Sequence, residues 1–212
     1  MEHRKRFQSF EKYVPSLQKN IRISGPIPPE QLSEMTMDAT LDAFRRPLEQ
    51  HKALIEIASL PEGRIIAATI DQHIIGYVTF HYPDEYERWS QGKMIDLVEL
   101  GAIEVADDYR GLGLGKDMVQ LSFAQQQLDN MIVYTTEYYW HWDLEGSGLN
   151  VWDYRKMMEK LMQTVDMIWY ATDDEEICAH PANCLMVKIG SEVPLSSIER
   201  FDRVRFRSRF MY

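Results

Sequence analysis

The chain has 212 residues, of which 45% are hydrophobic and 26% are charged, and its formal net charge is -10. This composition is typical of a globular protein with one core, and the acidic balance disfavours non-specific nucleic-acid binding, because Lys and Arg supply that affinity. No apolar run approaches the roughly 20 residues that cross a bilayer, so we expect neither a nucleic-acid partner nor a membrane partner.

The first part of the chain predicts a strand and two helices. The basic N-terminus, MEHRKRFQSFEKYVPSLQK, lacks the apolar stretch of a secretory signal, so we expect a cytoplasmic protein. Ile21 to Ser24 is a strand candidate, and the prolines that follow it open a helix at Pro28 to Glu30. Pro47 to Ser59 has apolar residues at helical spacing and ends before Pro61, which predicts a second helix.

Two β-branched runs follow, and they predict an antiparallel hairpin. The runs are Arg64 to Ile70 and His73 to Tyr82, and the two residues between them form the turn. Gly76 interrupts the second run, so we expect a bulge or a close backbone approach there.

The centre of the chain predicts a parallel βαβ unit. Met94 to Val105 is a mostly apolar strand that carries Glu99 and Glu104, with Gly101 as a possible bend. Leu114 to Leu128 has a helical apolar pattern, and Met131 to Thr136 is a further strand. A mixed sheet around this crossover predicts a fold of the α/β class, or of the mixed α+β class.

The last third of the chain predicts three helices and a strand. The helices are Val151 to Val165, Pro181 to Ile189 ending at Gly190, and a C-terminal stretch from Ser196; the strand is Met167 to Thr172. We expect one domain over residues 1–212, with an N-terminal extension of about residues 1–20 and an Arg-rich C-terminal extension of about residues 191–212. The arginines of that extension form either a solvated face or a docking surface for a partner. They are Arg200, Arg203, Arg205, Arg207 and Arg209.

The chain has two cysteines, Cys178 and Cys184, with His180 between them. Two cysteines without an export signal do not predict a disulfide framework. A structural zinc site needs four ligands in tight pairs, and the second pair is missing here. We therefore expect no metal.

A glycine-rich segment, Arg110-Gly-Leu-Gly-Leu-Gly115, lies between the predicted central strand and helix. Glycines allow a left-handed backbone and the close approach of a ligand, and the free N–H groups of a first helical turn favour phosphate. A nucleoside-triphosphate loop would need Ser or Thr after Gly115-Lys116, where Asp117 stands. A dinucleotide fold would need differently spaced glycines.

The segment Arg110-x-x-Gly113-x-Gly115 resembles the acetyl-CoA motif of the GNAT N-acetyltransferases, Arg/Gln-x-x-Gly-x-Gly/Ala. The resemblance implies the GNAT acyltransferase fold, acetyl-CoA as cosubstrate and a central strand that splays from its parallel neighbour around the thioester. It also implies cofactor contacts from the strand edge at Ile103 and Val105 and from the loop. The loop residues are Arg110, Gly111, Leu112, Gly113, Leu114, Gly115 and Lys116.

The wider sequence resembles the acetoin-utilisation acetyltransferases of Bacillus-type bacteria. Four segments carry this similarity: Glu99 to Val105, Glu137 to Asp143, His180 to Met186 and Arg209 to Tyr212. For those proteins the implied substrate is a lysine of acetyl-CoA synthetase, which acetylation inactivates. A small-molecule amine substrate, or a regulatory module that senses acetyl-CoA and binds its partner, remain the alternatives.

A lysine amine needs a base before it can attack a thioester. We expect Glu104 to be that base, because it lies nearest the cofactor loop, and Glu99 is the second candidate. Strict alternation places these two on opposite faces of the strand. The general acid is Tyr138, Tyr139, Tyr154 or none. The aromatic run Tyr138 to Trp142 predicts a groove or an interface as readily as core packing.

Overall fold

The computed structural model describes residues 3–207. The segment Arg209 to Tyr212, one of the four that carry the resemblance, lies outside the described residues. The chain forms two compact units. The first contains residues 3–81 and 100–127, and the second contains residues 82–99 and 128–207. Within residues 3–207, no helix is long and apolar enough to span a membrane.

The first unit contains a sheet whose strands run β1-β2-β4-β5. All three pairings in this order are antiparallel, and the two-residue strand β3 pairs with β5 in parallel. The strands are β1 (Gln8–Val14), β2 (Lys19–Gly25), β3 (Thr36–Met37), β4 (Arg64–Ile70) and β5 (His73–His81). The hairpin prediction is confirmed, as is the strand now called β2.

Strand β1 was not predicted. Its sequence, QSFEKYV, is mostly polar and mostly exposed in the structure, so hydrophobic periodicity gave no signal for it. Its pairing with β2 along all seven residues, from Gln8 opposite Gly25 to Val14 opposite Lys19, holds it in the sheet. The apolar side chains that anchor this pair come from β2, where Ile21 and Ile23 are fully buried.

Three helices belong to the first unit: α1 (Pro29–Ser33), α2 (Pro47–Ser59) and α3 (Leu114–Phe123). The predicted bounds of α2 are confirmed at both ends, because Pro47 is tolerated in a first turn. Helix α3 ends five residues earlier than predicted. The backbone at Gln125 and Gln126 has φ of 53° and 59°, which breaks the helical path.

Gly76 lies at a close backbone approach, as expected. A Cβ atom there would lie 3.0 Å from the backbone oxygen of Glu104, and the β4–β5 register shifts at the same level, between Ala68 and Thr69. Only glycine fits without moving the backbone next to Glu104.

The second unit contains strands in the order β6-β7-β9-β8. These are β6 (Leu97–Val105, whose residues 100–105 belong to the first unit), β7 (Ile132–Glu137), β8 (Ile168–Tyr170) and β9 (Cys184–Ile189). Leu97 to Glu99 pair in parallel with Ile132 to Tyr134, whereas β9 is antiparallel to both of its neighbours. The βαβ prediction and the mixed α+β class are confirmed.

The prediction of a helix over Pro181 to Ile189 was wrong, because that segment contains β9. Its residues 184–187 are buried, and it pairs with β7 on one side and β8 on the other. A short apolar run buried on both faces has no periodicity that separates strand from helix. Gly190 ends the strand, where a Cβ atom would clash with the backbone oxygen of Asp129.

The helices of the second unit are α4 (Leu144–Ser147), α5 (Val151–Gln163), α6 (Glu175–Cys178) and α7 (Leu195–Arg205). The predictions of α5 and of the C-terminal helix are confirmed. Asn150 caps α5 by accepting the backbone N–H groups of Trp152 and Asp153. The core under these helices contains Trp89, whose ring centroid lies 5.2 Å from that of Tyr134 and 6.2 Å from that of Phe201.

Candidate active site

The glycine-rich loop joins the end of β6 to the start of α3. A 3₁₀ turn, Asp107–Tyr109, follows the strand, and α3 begins at Leu114. Gly111 and Gly113 both have φ of 77°, in the left-handed region that side chains with a Cβ atom avoid. Both glycines are exposed, and a Cβ atom on Gly111 would meet no heavy atom within 4 Å. The backbone at this turn is therefore open to a ligand.

The N-terminus of α3 presents free backbone donors. The first helical hydrogen bond runs from the N–H of Asp117 to the oxygen of Gly113, at 3.0 Å, so the N–H groups of Leu114, Gly115 and Lys116 precede the helical ladder. Among the described residues, no side chain caps this end. The helix dipole adds partial positive charge here. A pyrophosphate group fits such a site.

Lys12 of β1 lies against this loop, although no local pattern in the sequence indicates this contact. Its Nζ donates to the backbone oxygen of Leu112 at 2.8 Å and to a carboxylate oxygen of Asp117 at 2.6 Å. The same Nζ lies 3.4 Å from the position of a Cβ atom on Gly113. Lys12 thus fixes the loop to the sheet, and its positive charge lies beside the loop, paired with the carboxylate of Asp117.

Arg110 folds back onto the strand that precedes the loop. Its Nε donates to the backbone oxygen of Val105 at 3.2 Å, and its Nη2 lies 2.9 Å from a carboxylate oxygen of Asp107. Ile103 packs beneath the first turn of α3, where its Cγ2 lies 3.6 Å from the position of a Cβ atom on Gly115. The predicted strand-edge residues and the predicted loop are therefore brought together.

Glu104 is buried and accepts two hydrogen bonds. Its Oε1 accepts the backbone N–H of Ala43 at 2.8 Å, and its Oε2 accepts the hydroxyl of Tyr77. Burial raises the pKa of Glu104, and the bonds from Tyr77 and Ala43 oppose that rise. This carboxylate holds the segment before α2, which also contacts the chain after β6 through the 3.1 Å bond from the Asp107 N–H to Thr40 Oγ1.

Glu99 has fewer donors. The hydroxyl of Tyr134 donates to its Oε2 at 3.3 Å, and burial raises the pKa of Glu99 to about 7. The bond from Tyr134 opposes the rise, and the charge of Asp84 adds to it. A carboxyl group that titrates near neutral pH can accept a proton from a substrate and release it again.

The three tyrosines considered as general acid lie among packed aromatic rings. Tyr138 stacks on Trp140 with centroids 4.8 Å apart, and Tyr154 stacks on Trp142 at 5.1 Å. Tyr139 contacts His180 at 4.2 Å. Burial raises the pKa of Tyr138. Several rings of the aromatic run therefore pack on one another, whereas the side chain of Trp140 is exposed to solvent.

Glu137 is a further buried carboxylate that sequence reasoning did not select. It accepts a hydrogen bond from Trp142 Nε1 at 3.0 Å, and burial raises its pKa to about 7. Cys184 is buried and Cys178 is exposed, and both are free thiols. Within residues 3–207, no group of three or more His, Cys, Asp or Glu side chains is arranged to hold a metal ion.

Comparison with known proteins links this geometry to a family. The sequence profile described as "Acetyltransferase (GNAT) family" matches residues 30–137. The chain is 53% identical to the "Acetoin utilization protein AcuA" of Bacillus subtilis (strain 168) over 212 residues, which is 100% of both chains. It is 54% identical to the protein of the same name from Bacillus licheniformis, again over 100% of both chains.

A solved structure is similar over nearly the same length. The crystal structure of an acetoin utilization protein from Exiguobacterium sibiricum 255-15 has a TM-score of 0.93 and 49% sequence identity, and it covers 98% of this chain and 98% of its own. The match to the profile spans about half of the chain and contains the whole of the glycine-rich loop and both carboxylates of β6.

Proposed function

The chain belongs to the Acetyltransferase (GNAT) family, whose members are N-acetyltransferases that use acetyl-CoA, and from that premise we propose that it acetylates a lysine of a partner protein. We propose acetyl-CoA synthetase as that partner, in the metabolism of acetoin and acetate, with acetylation inactivating it. The single observation that carries the chemistry is the turn at Gly111 and Gly113, which opens the N-terminus of α3 to a phosphate group.

The loop holds the pyrophosphate of acetyl-CoA. The N–H groups of Leu114, Gly115 and Lys116 donate to it, and Gly111 and Gly113 allow its close approach. Four further residues complete the acetyl-CoA site. They are Ile103 and Val105 on the edge of β6, and Arg110 and Leu112 in the loop. Acetyl-CoA supplies an acetyl group activated as a thioester.

A carboxylate must take the proton of the substrate amine. A lysine amine has a pKa of about 10.4, so deprotonating it at pH 7 costs about 4 to 5 kcal/mol without a base. We assign this role first to Glu99, because its pKa of about 7 suits proton acceptance. Glu104 becomes the second candidate, because the Ala43 N–H and the Tyr77 hydroxyl stabilise its charged form and oppose the rise in its pKa. This order reverses the preference based on proximity to the loop.

The protein-substrate proposal is supported by similarity beyond the cofactor motif. The acetoin utilization proteins of both Bacillus species match all 212 residues, including the second unit, which the GNAT profile covers only in part. Exposed aromatic side chains in that unit, Trp140, Trp152 and Trp169, are of the type that dominates protein interfaces. The acidic net charge of -10 also suits a cationic small amine, which remains the second candidate substrate.

The cofactor assignment is tested by Gly113→Asp. The aspartate adds a Cβ atom at a left-handed position and a negative charge where the pyrophosphate binds, so calorimetry should detect at least a hundredfold weaker binding of acetyl-CoA. Wild-type affinity in this variant would refute the assignment of the loop. The matched control is Gly148→Asp, at another exposed glycine with positive φ, which should bind acetyl-CoA normally.

The substrate assignment is tested by mass spectrometry. Acetyl-CoA synthetase is incubated with the enzyme and acetyl-CoA, and we expect one acetylated lysine that is absent with Gly113→Asp. Labelled acetyl-CoA added to a cell lysate separates the alternatives: labelled metabolites without labelled protein would identify a small-amine acetyltransferase. Stable binding of the synthetase without turnover would identify a sensing module.

A further inference from the structure

A pocket in the second unit is lined mainly by arginines. It has a volume of about 330 Å³ and lies between α7 and the 3₁₀ turn Arg88–Gly92. This size falls at the lower end of the range of small-molecule sites, about 300 to 1,000 Å³. Four of its seven lining residues are arginines: Arg88, Arg200, Arg203 and Arg207.

Two of the pocket arginines lie on one face of α7, and a third follows the end of that helix. Arg200 and Arg203 are three residues apart on α7, whereas Arg207 comes two residues after the helix ends at Arg205. Gly92 lets the turn approach that face closely, because a Cβ atom there would lie 2.9 Å from Cγ2 of Val204. The buried rings of Trp89, in the turn, and Phe201, in α7, lie in contact and hold the two elements together.

Arg88 is held in place by its own partners. Its side chain is nearly buried, with Nη2 2.6 Å from Asp173 and Nη1 3.3 Å from Asp174. Its Nε donates to the backbone oxygen of Val204 at 3.2 Å, so three of its five N–H groups are directed by the protein. Arg88 therefore lines the pocket in a fixed conformation, and the two aspartates neutralise its charge.

Ion pairing within the fold accounts for Arg205 but not for Arg200, Arg203 or Arg207. Arg205 donates to Asp202 at 2.6 Å and to the backbone oxygen of Ala171, and its guanidinium lies 4.9 Å from the ring of Tyr170. Within the part of the chain that the structure describes, no ion pair forms at Arg200, Arg203 or Arg207. These three exposed positive charges line one pocket in a protein of net charge -10, and a bound anion would reduce the repulsion between them.

We propose that this pocket binds a small phosphate-bearing anion, such as a nucleotide or another phosphorylated metabolite, at a second site in addition to the acetyl-CoA loop. Guanidinium groups match the planar, bidentate geometry of phosphate oxygens, and several of them together suit a group with two or more negative charges. Gln91 adds an amide to the lining, which can bond the uncharged part of the ligand.

The test is calorimetric titration of the full chain with inorganic pyrophosphate at constant ionic strength. Wild type should bind at two sites, the loop and the pocket. Gly113→Asp should retain only the pocket site, and Arg200→Gln/Arg203→Gln should retain the loop site while its pocket site weakens. Because bonds between charged groups are lost, pocket affinity in the double variant should fall about tenfold or more.

Two controls make the result decisive. Arg22→Gln removes an exposed arginine from β2 and should leave both sites intact. An equal loss in Arg22→Gln, or unchanged pocket binding in the Arg200/Arg203 double variant, would overturn the proposal. Binding of a short polyglutamate peptide without binding of pyrophosphate would also overturn it, because the pocket would then be a docking surface for an acidic protein. Failure of the loop site alone would refute only the acetyl-CoA assignment.

Discussion

Replacement of Glu99 by Gln tests the base through the pH dependence of catalysis. The pKa of Glu99 is about 7, against 4.5 for an unperturbed glutamate. A base acts when deprotonated, so kcat of the wild type should rise with pH, reach half its plateau near pH 7 and fall to about a tenth of the plateau at pH 6. Glu99→Gln should abolish this rise and lower the plateau by about a hundredfold to ten-thousandfold.

Two variants sharpen this experiment. Tyr134→Phe removes the hydroxyl that stabilises the Glu99 carboxylate, so the midpoint should move to higher pH while the buried ring keeps its packing against Trp89. Glu104→Gln still offers an oxygen to the Ala43 N–H, so it should keep the midpoint and lose less than about tenfold in kcat. If Glu104→Gln loses the pH dependence and Glu99→Gln retains it, the base is Glu104 and the reasoning from pKa is refuted. The rates are measured at saturating acetyl-CoA and acceptor, because kcat reports the groups of the bound complex.

Three further predictions concern the supporting contacts. Tyr77→Phe removes one of the two donors to the buried Glu104, so urea denaturation should detect a loss of about 1 to 3 kcal/mol in the free energy of unfolding; no loss would contradict the bond. Glu137 has a folded-state pKa of about 7, above its unfolded value of 4.5, so stability is lost as pH rises between these values. Glu137→Gln keeps the acceptor for Trp142 and should stabilise the protein by about 3 kcal/mol at pH 8, with little effect near pH 4.5; equal effects at both pH values would refute this. Lys12→Met should weaken acetyl-CoA binding about three- to tenfold by calorimetry while changing stability by at most about 1 kcal/mol, because the lysine is partly exposed.

Local signals in the sequence were sufficient to predict the glycine-rich turn before α3 and most of the other elements. Proline at position 47 and again at 61 bounded α2, and the glycine spacing between two strands identified the turn at α3. The short run at 184–189 was assigned incorrectly, because residues buried on both faces lose the alternation that distinguishes a strand.

Contacts between residues far apart in the chain could not be predicted from the sequence. Lys12 and Asp117 are 105 residues apart, and no local pattern pairs one partly exposed lysine with one aspartate among the many charged residues. The same limit applies to Tyr77 and Glu104, which are 27 residues apart on different strands. The position of the predicted carboxylates was therefore available from sequence, whereas their hydrogen-bond partners, which set their pKa values, were not.

The two carboxylates of β6 differ in their hydrogen-bond donors, and this difference gives them different properties. Five residues separate Glu99 from Glu104, so alternation directs them to opposite faces. Burial raises the pKa of both, but the backbone of Ala43 and the hydroxyl of Tyr77 return stabilisation to the charged form of Glu104. Glu99 has one longer bond, from Tyr134, and its charged form stays costly. A carboxylate whose oxygens are already occupied fixes the backbone beside it, and one whose charge is only partly compensated is the better proton acceptor. The same residue type on the same strand therefore has two environments, one that suits positioning of the backbone and one that suits the proton transfer that we propose for Glu99.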